Sequence, residues 1–166
     1  MDVRKVTALS AIVIAVAAAG WYLFGPAAEG AAVRARLRAF TDTVNGQPTD
    51  GLDPAARAVR LGSFFADDVD VDLGPGTAPI RGRETIVGMA ERLQPRTAAF
   101  RLELEDVTVA MTPGGDAADV HLTAEFIRRS ITTGDESLDA REFMLGMRRI
   151  GDTWQIARVT AIDTLK

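Results

Sequence analysis

The rhythm of hydrophobic positions changes along this chain, and each change marks a different structural task. From Val6 to Phe24 the residues read VTALSAIVIAVAAAGWYLF, without a charge. As a helix such a run reaches ~28 Å, close to the ~30 Å hydrocarbon core of a bilayer. Arg4 and Lys5 precede it, and Glu29 is the first charge after it. The positive-inside rule then keeps residues 1–5 in the cytoplasm, makes residues 6–25 a single transmembrane anchor and exports residues 26–166 to a periplasmic or extracellular space. Trp21 and Tyr22 fall where an interfacial aromatic belt belongs, and Gly25-Pro26 ends the helix. A cleaved signal peptide is the alternative, with Ala17 and Ala19 as the small residues of a cleavage site. The apolar run continues beyond them to Phe24, which favours the anchor.

Past Glu29 the pattern becomes amphipathic. Val33, Leu37, Phe40 and Val44 recur at helical spacing, with Arg34, Arg36, Arg38 and Asp42 on the other faces, and Asn45-Gly46 closes the helix. Asp53-Pro54 reads as an N-cap followed by proline at the first helical position, opening a short helix to about Gly62. Phe64–Leu73 turns to strand rhythm, because its second half alternates apolar and acidic residues. A third helix is expected from Glu84 to Leu93, with Ile86, Met89, Ala90 and Leu93 inward. Four strand-like runs follow, separated by turn signals at 112–115, 133–135 and 151–152. In the first, apolar residues at Phe100, Leu102 and Leu104 give way to Val107, Val109 and Met111. That switch of parity predicts a β-bulge. The second alternates Ala118, Val120, Leu122, Ala124 and Phe126 with polar residues. Helices first and closely spaced strands afterwards imply an α+β fold with helices packed on one face of an antiparallel sheet.

Composition narrows the chemistry. With 166 residues, 47% hydrophobic and 25% charged, the chain can bury a core. The formal charge of −4 and the scattered arginines give no footprint for nucleic acid. The absence of cysteine removes disulfides, thiol nucleophiles and cysteine metal sites. A single histidine, His121, excludes mechanisms that need two imidazoles. It sits on the polar parity of its strand and is expected at the outer sheet face. The acidic run Asp67, Asp68, Asp70 and Asp72 lacks the spacing of a calcium loop and reads as a solvated face. Arg128-Arg129 and Arg148-Arg149 read as surface charges near strand ends. No metal and no cofactor are expected.

The stretches Phe65-Ala66-Asp67-Asp68-Val69-Asp70-Val71-Asp72, Pro79-Ile80-Arg81-Gly82-Arg83-Glu84-Thr85-Ile86 and Gly151-Asp152-Thr153-Trp154-Gln155-Ile156 carry a resemblance. They are similar to segments of the NTF2-like superfamily, in particular its SnoaL-like and ketosteroid-isomerase-like members. The resemblance spans roughly Ala31 to Ile162 and implies a cone of three helices on a curved sheet. It specifies the fold better than the function, because such a fold hosts many activities. Ketosteroid isomerases join a carboxylate base to a tyrosine and a protonated aspartic acid. By the resemblance those positions fall at Phe40, Leu73 and near Gly146, none of which can do the chemistry, although a register shift of one residue would bring Asp72 to the base position.

The resemblance also implies a ligand pocket inside the cone, lined by Phe40, Leu73, Met89, Leu93, Glu142, Met144, Arg148, Trp154 and Arg158. The sequence leaves a second parity open, in which Phe143, Leu145 and Met147 form the core and Glu142 and Arg148 face solvent. The expected role is non-catalytic: binding a partner protein of a membrane complex, or a small apolar ligand, beside the bilayer that Val6–Phe24 crosses. A homodimer through the outer sheet face fits the same family pattern. The alternative is a SnoaL-like enzyme of cyclase, isomerase or hydrolase type acting on a hydrophobic substrate.

Overall fold

The computed structural model describes residues 30–46, 54–92, 98–130 and 133–162. The expected anchor, Val6–Phe24, lies outside them. Among the described residues no helix is long and apolar enough to cross a membrane.

The first amphipathic segment forms helix α1, residues 30–45. Its stripe works as spaced: Val33 and Leu37 are fully buried, and Phe40 and Val44 pack against the same core. Helix α2 is Pro54–Gly62. Its expected N-cap, Asp53, lies outside the described residues. Strand β1 is Phe65–Asp72, β2 is the two-residue Ile80–Arg81, and helix α3 is Arg83–Arg92. The long strands are β3 (Ala98–Met111), β4 (Ala117–Ser130), β5 (Glu136–Ile150) and β6 (Thr153–Ala161).

All six strands join one sheet in the order β2-β1-β6-β5-β4-β3. The β3–β4, β4–β5 and β5–β6 pairs are antiparallel, as the short turns require. The early strand β1, whose pairing the short turns do not fix, lies parallel to β6. The long excursion through α3 and β3–β5 carries the chain far enough to bring β6 back beside β1 in the same direction.

The parity switch in β3 is a bulge. Pairing with β4 slips between Glu105 and Thr108, and Asp106 takes a φ of 53°. Aspartate tolerates this left-handed region better than β-branched residues do. The switch keeps Leu102 and Leu104 before the bulge, and Val107, Val109 and Met111 after it, packed on one core. In β4, Ala118, Val120, Leu122 and Ala124 are buried, with Phe126 half-buried beyond them.

Helix α3 departs from expectation. None of its residues is buried, and Met89 is 38% exposed. Ile86 packs against the core, while Leu93 lies outside the described residues. Two contacts hold the helix in place. Gly62 at the end of α2 lies so close to α3 that a Cβ there would collide with Val87. Arg83 donates from Nε to the Phe65 carbonyl at 2.7 Å and from Nη2 to Gln155 Oε1 at 3.2 Å, and it pairs with Asp67 at 2.6 Å.

Candidate functional site

The cone interior is built from apolar side chains. Phe40 on α1 meets Phe64 and Phe65 edge to face, with ring centroids 5.6 and 5.7 Å apart. Trp154 and Ile156 of β6 and Phe143, Leu145 and Met147 of β5 are buried around them. Leu73 is partly buried against this cluster. Among the described residues no polar or charged side chain is buried. Among the described residues, the interior therefore presents no carboxylate, imidazole or hydroxyl positioned away from water to move a proton.

The structure divides the expected pocket residues between the two faces of the sheet. Phe40, Leu73 and Trp154 join the interior. Glu142, Met144 and Arg148 do not, because the other parity of β5 faces the core. The cross-strand register explains why. Leu122, buried on β4, sits opposite Phe143, whereas exposed His121 sits opposite Met144. Arg158 pairs with Gly146 across β5–β6 and shares the outer face. A Cβ on Gly146 would stand 3.3 Å from the Arg158 Cβ, so a side chain there would press on Arg158. Met89 is exposed on α3, and Leu93 lies outside the described residues.

The charged groups mostly fasten elements together. Arg36 of α1 lies 4.1 Å above the Phe64 ring. It donates to the carbonyls of Trp154 at 3.0 Å and Ser63 at 2.6 Å. Partial burial lowers its pKa from the ordinary arginine value. The acidic run is dispersed rather than convergent. Asp67 pairs with Arg83, Asp68 with Arg148 at 2.5 Å and Asp70 with Arg81 at 3.5 Å. Asp72 accepts from the Gly74 amide at 2.9 Å. The Arg148 hydrogen bond holds the Asp68 carboxyl below the usual aspartate pKa. Among the described residues no group of three His, Asp or Glu side chains could hold a metal ion.

An open groove of about 290 Å³ lies at the seam between α1 and β3. Leu37, Leu104 and Val107 supply its apolar part, and Arg34, Arg38, Thr41 and Asp42 its polar part. The sequence pattern assigned these arginines only to the helix's polar side. The available signal was their four-residue spacing, which puts both on one flank of Leu37. Beside the groove the Asn45 side chain caps the free edge of β3. Its Nδ2 donates to the Leu102 carbonyl at 2.8 Å, and its Oδ1 accepts from the Leu102 amide at 2.7 Å.

Three helices on this strand order place the chain among known structures. A protein from Streptomyces avermitilis, described as a dehydratase of the NTF2-like family, superposes with a TM-score of 0.66 at 19% identity, covering 85% of this chain and 100% of that one. The chain has the NTF2-like fold. ActVI-ORFA from Streptomyces coelicolor gives a TM-score of 0.65 at 11% identity over 81% of this chain and 97% of its own. A ketosteroid isomerase-like protein from Erwinia carotovora atroseptica gives 0.58 at 22% identity over 81% and 97%. No family model and no curated protein matches the sequence. At such identities the NTF2-like likeness concerns the path of the chain, not its chemistry.

Proposed function

We propose that this chain is a non-catalytic NTF2-like binding module held at the far face of a membrane by Val6–Phe24, where it engages a small apolar ligand or a partner protein. The observation that carries the reading is the cone interior. Its described residues bury no ionisable side chain, and Phe40 packs against Phe64 and Phe65 where the isomerase resemblance calls for a hydroxyl. Proton transfer at carbon needs a base within hydrogen-bond reach of the substrate and a donor for the developing oxyanion. Apolar walls provide neither.

The outer sheet face supports a protein partner or a second copy of the chain. Leu138, Met144 and Ile150 share the outward parity of β5 and are 61%, 44% and 44% exposed. The enzymatic alternative draws on fold neighbours described as dehydratases. It requires convergent ionisable groups in the interior, and Glu142, Arg148 and Arg158 face the other way.

The test combines activity and location. Full-length protein is assayed for isomerisation of a β,γ-unsaturated ketone and for dehydration of a β-hydroxy ketone. The expected rates equal the protein-free rates. Turnover above background that disappears in a Leu73→Arg variant, which intrudes on the interior, would overturn the non-catalytic reading. Membrane fractionation tests the anchor separately: the intact chain is expected to resist alkaline extraction, and release into the soluble fraction refutes it.

A further inference from the structure

We infer that the groove between α1 and β3 is a binding site for a free amphiphilic carboxylate, an apolar tail carrying one anionic head. The inference rests on reading the domain as a binding module, and it places the ligand outside the cone. The floor and the rim have different chemistry. Half-buried Leu104 and Val107 offer apolar surface that an alkyl tail can cover above buried Leu37, with the hydrophobic gain scaling with the area removed from water. Arg34 and Arg38 stand one helical turn apart at the rim, and both are exposed. Neither has an ion-pair partner among the described residues. Two guanidinium groups on one flank can hold a single carboxylate by charge-assisted hydrogen bonds. Asp42 sits one turn beyond Arg38 and leaves the rim with a net positive charge at its Arg34 end.

The neighbouring sheet edge argues for a small molecule over an added peptide strand. A β-strand ligand needs a run of free backbone groups along an edge. Here that run is interrupted on both sides of Leu104. Asn45 already occupies the amide and carbonyl of Leu102, and the bulge at Asp106 breaks the ladder direction. A strand docked here would find its neighbouring pairing positions taken or turned. A single alkyl chain needs no backbone ladder, and a volume of about 290 Å³ matches the lower end of small-molecule pockets.

The probes are decanoate, decylamine and decyl phosphate, titrated below their micelle concentrations into the full-length protein in a non-ionic detergent. Binding is followed by calorimetry and by the amide resonances of α1 and β3. Saturable one-to-one binding of decanoate is expected, with resonance changes at Leu37, Leu104 and Val107. Decylamine is expected to bind at least ten-fold more weakly. The double variant Arg34→Glu/Arg38→Glu should lose decanoate by ten-fold or more while keeping the wild-type circular dichroism and melting curve. Equal affinity for decanoate and decylamine, or an unchanged affinity in the double variant, overturns the proposal. So does binding seen only when the anion is presented as decyl phosphate or in an anionic bilayer. A null result with decanoate accompanied by no catalysis removes this site and leaves the binding-module reading intact, whereas turnover in the activity assays removes that reading itself.

Discussion

The cone interior and the α1–β3 groove share one wall, since Leu37 of α1 is buried in the core and also floors the groove. They differ in what surrounds that wall. Inside, aromatic rings close on one another and no described charge is buried. Outside, the same helix turns two arginines toward an apolar slot that stays open. One helix thus has a face committed to packing and a flank free to recognise something. An apolar interior in a familiar fold position is not by itself a site. A site needs polar groups aimed at it whose satisfaction does not already belong to the fold.

The largest test of this contrast removes packing from the interior. Met147→Ala, at a side chain only 2% exposed, should cost about 2–5 kcal/mol, read as a lowered midpoint in urea unfolding with an unchanged slope. Next is the cap on the sheet edge. Asn45→Ala leaves the Leu102 amide and carbonyl without their partner and should cost about 1–2 kcal/mol. It should also raise concentration-dependent association, measured by light scattering, because it frees an edge. Smaller still is the change in stability on reversing the groove charges. Arg34→Glu/Arg38→Glu should lie within about 0.5 kcal/mol of wild type, since these groups are exposed and pair with nothing described. An effect of the size expected for Met147→Ala would mean that the groove belongs to the core after all.

The smallest effect concerns the outer face. Asp68 has a pKa below its unfolded value, so the stability it adds is present above the ordinary aspartate range and fades as pH falls through the lowered value. Solvent exposure keeps that contribution slight. Carboxyl resonance titration of an Arg148→Ala variant should show the Asp68 pKa rising toward the ordinary value.

Much of the fold could be read from alternation alone. β4 has apolar residues on one parity and polar residues on the other, so its buried face was unambiguous, and the slip at Asp106 followed from the switch in β3. β5 was harder because both of its parities carry methionine and could pass for core. The pairing of Phe143 with Leu122 decides it, and that is information about a neighbouring strand, not about β5 itself. The parallel pairing of β1 with β6 was illegible for the same reason. Met89 misled because an apolar residue at helical spacing looks inward whether or not anything covers it. The Arg34–Arg38 pair was visible as charge, but its relation to Leu104 and Val107 exists only once α1 is laid beside β3.

The parallel contact of β1 with β6 also dictates an order of events. Residue 65 finds its partner at residue 156, so the first strand to leave the ribosome waits for the last one to be synthesised. Until then α1 can cover Phe64 and Phe65 through Phe40, but the β1 edge that pairs with β6 stays open. A nascent chain of this kind should depend on a holding factor, and trimming the C-terminal strand should send it to proteases instead of yielding a smaller folded unit.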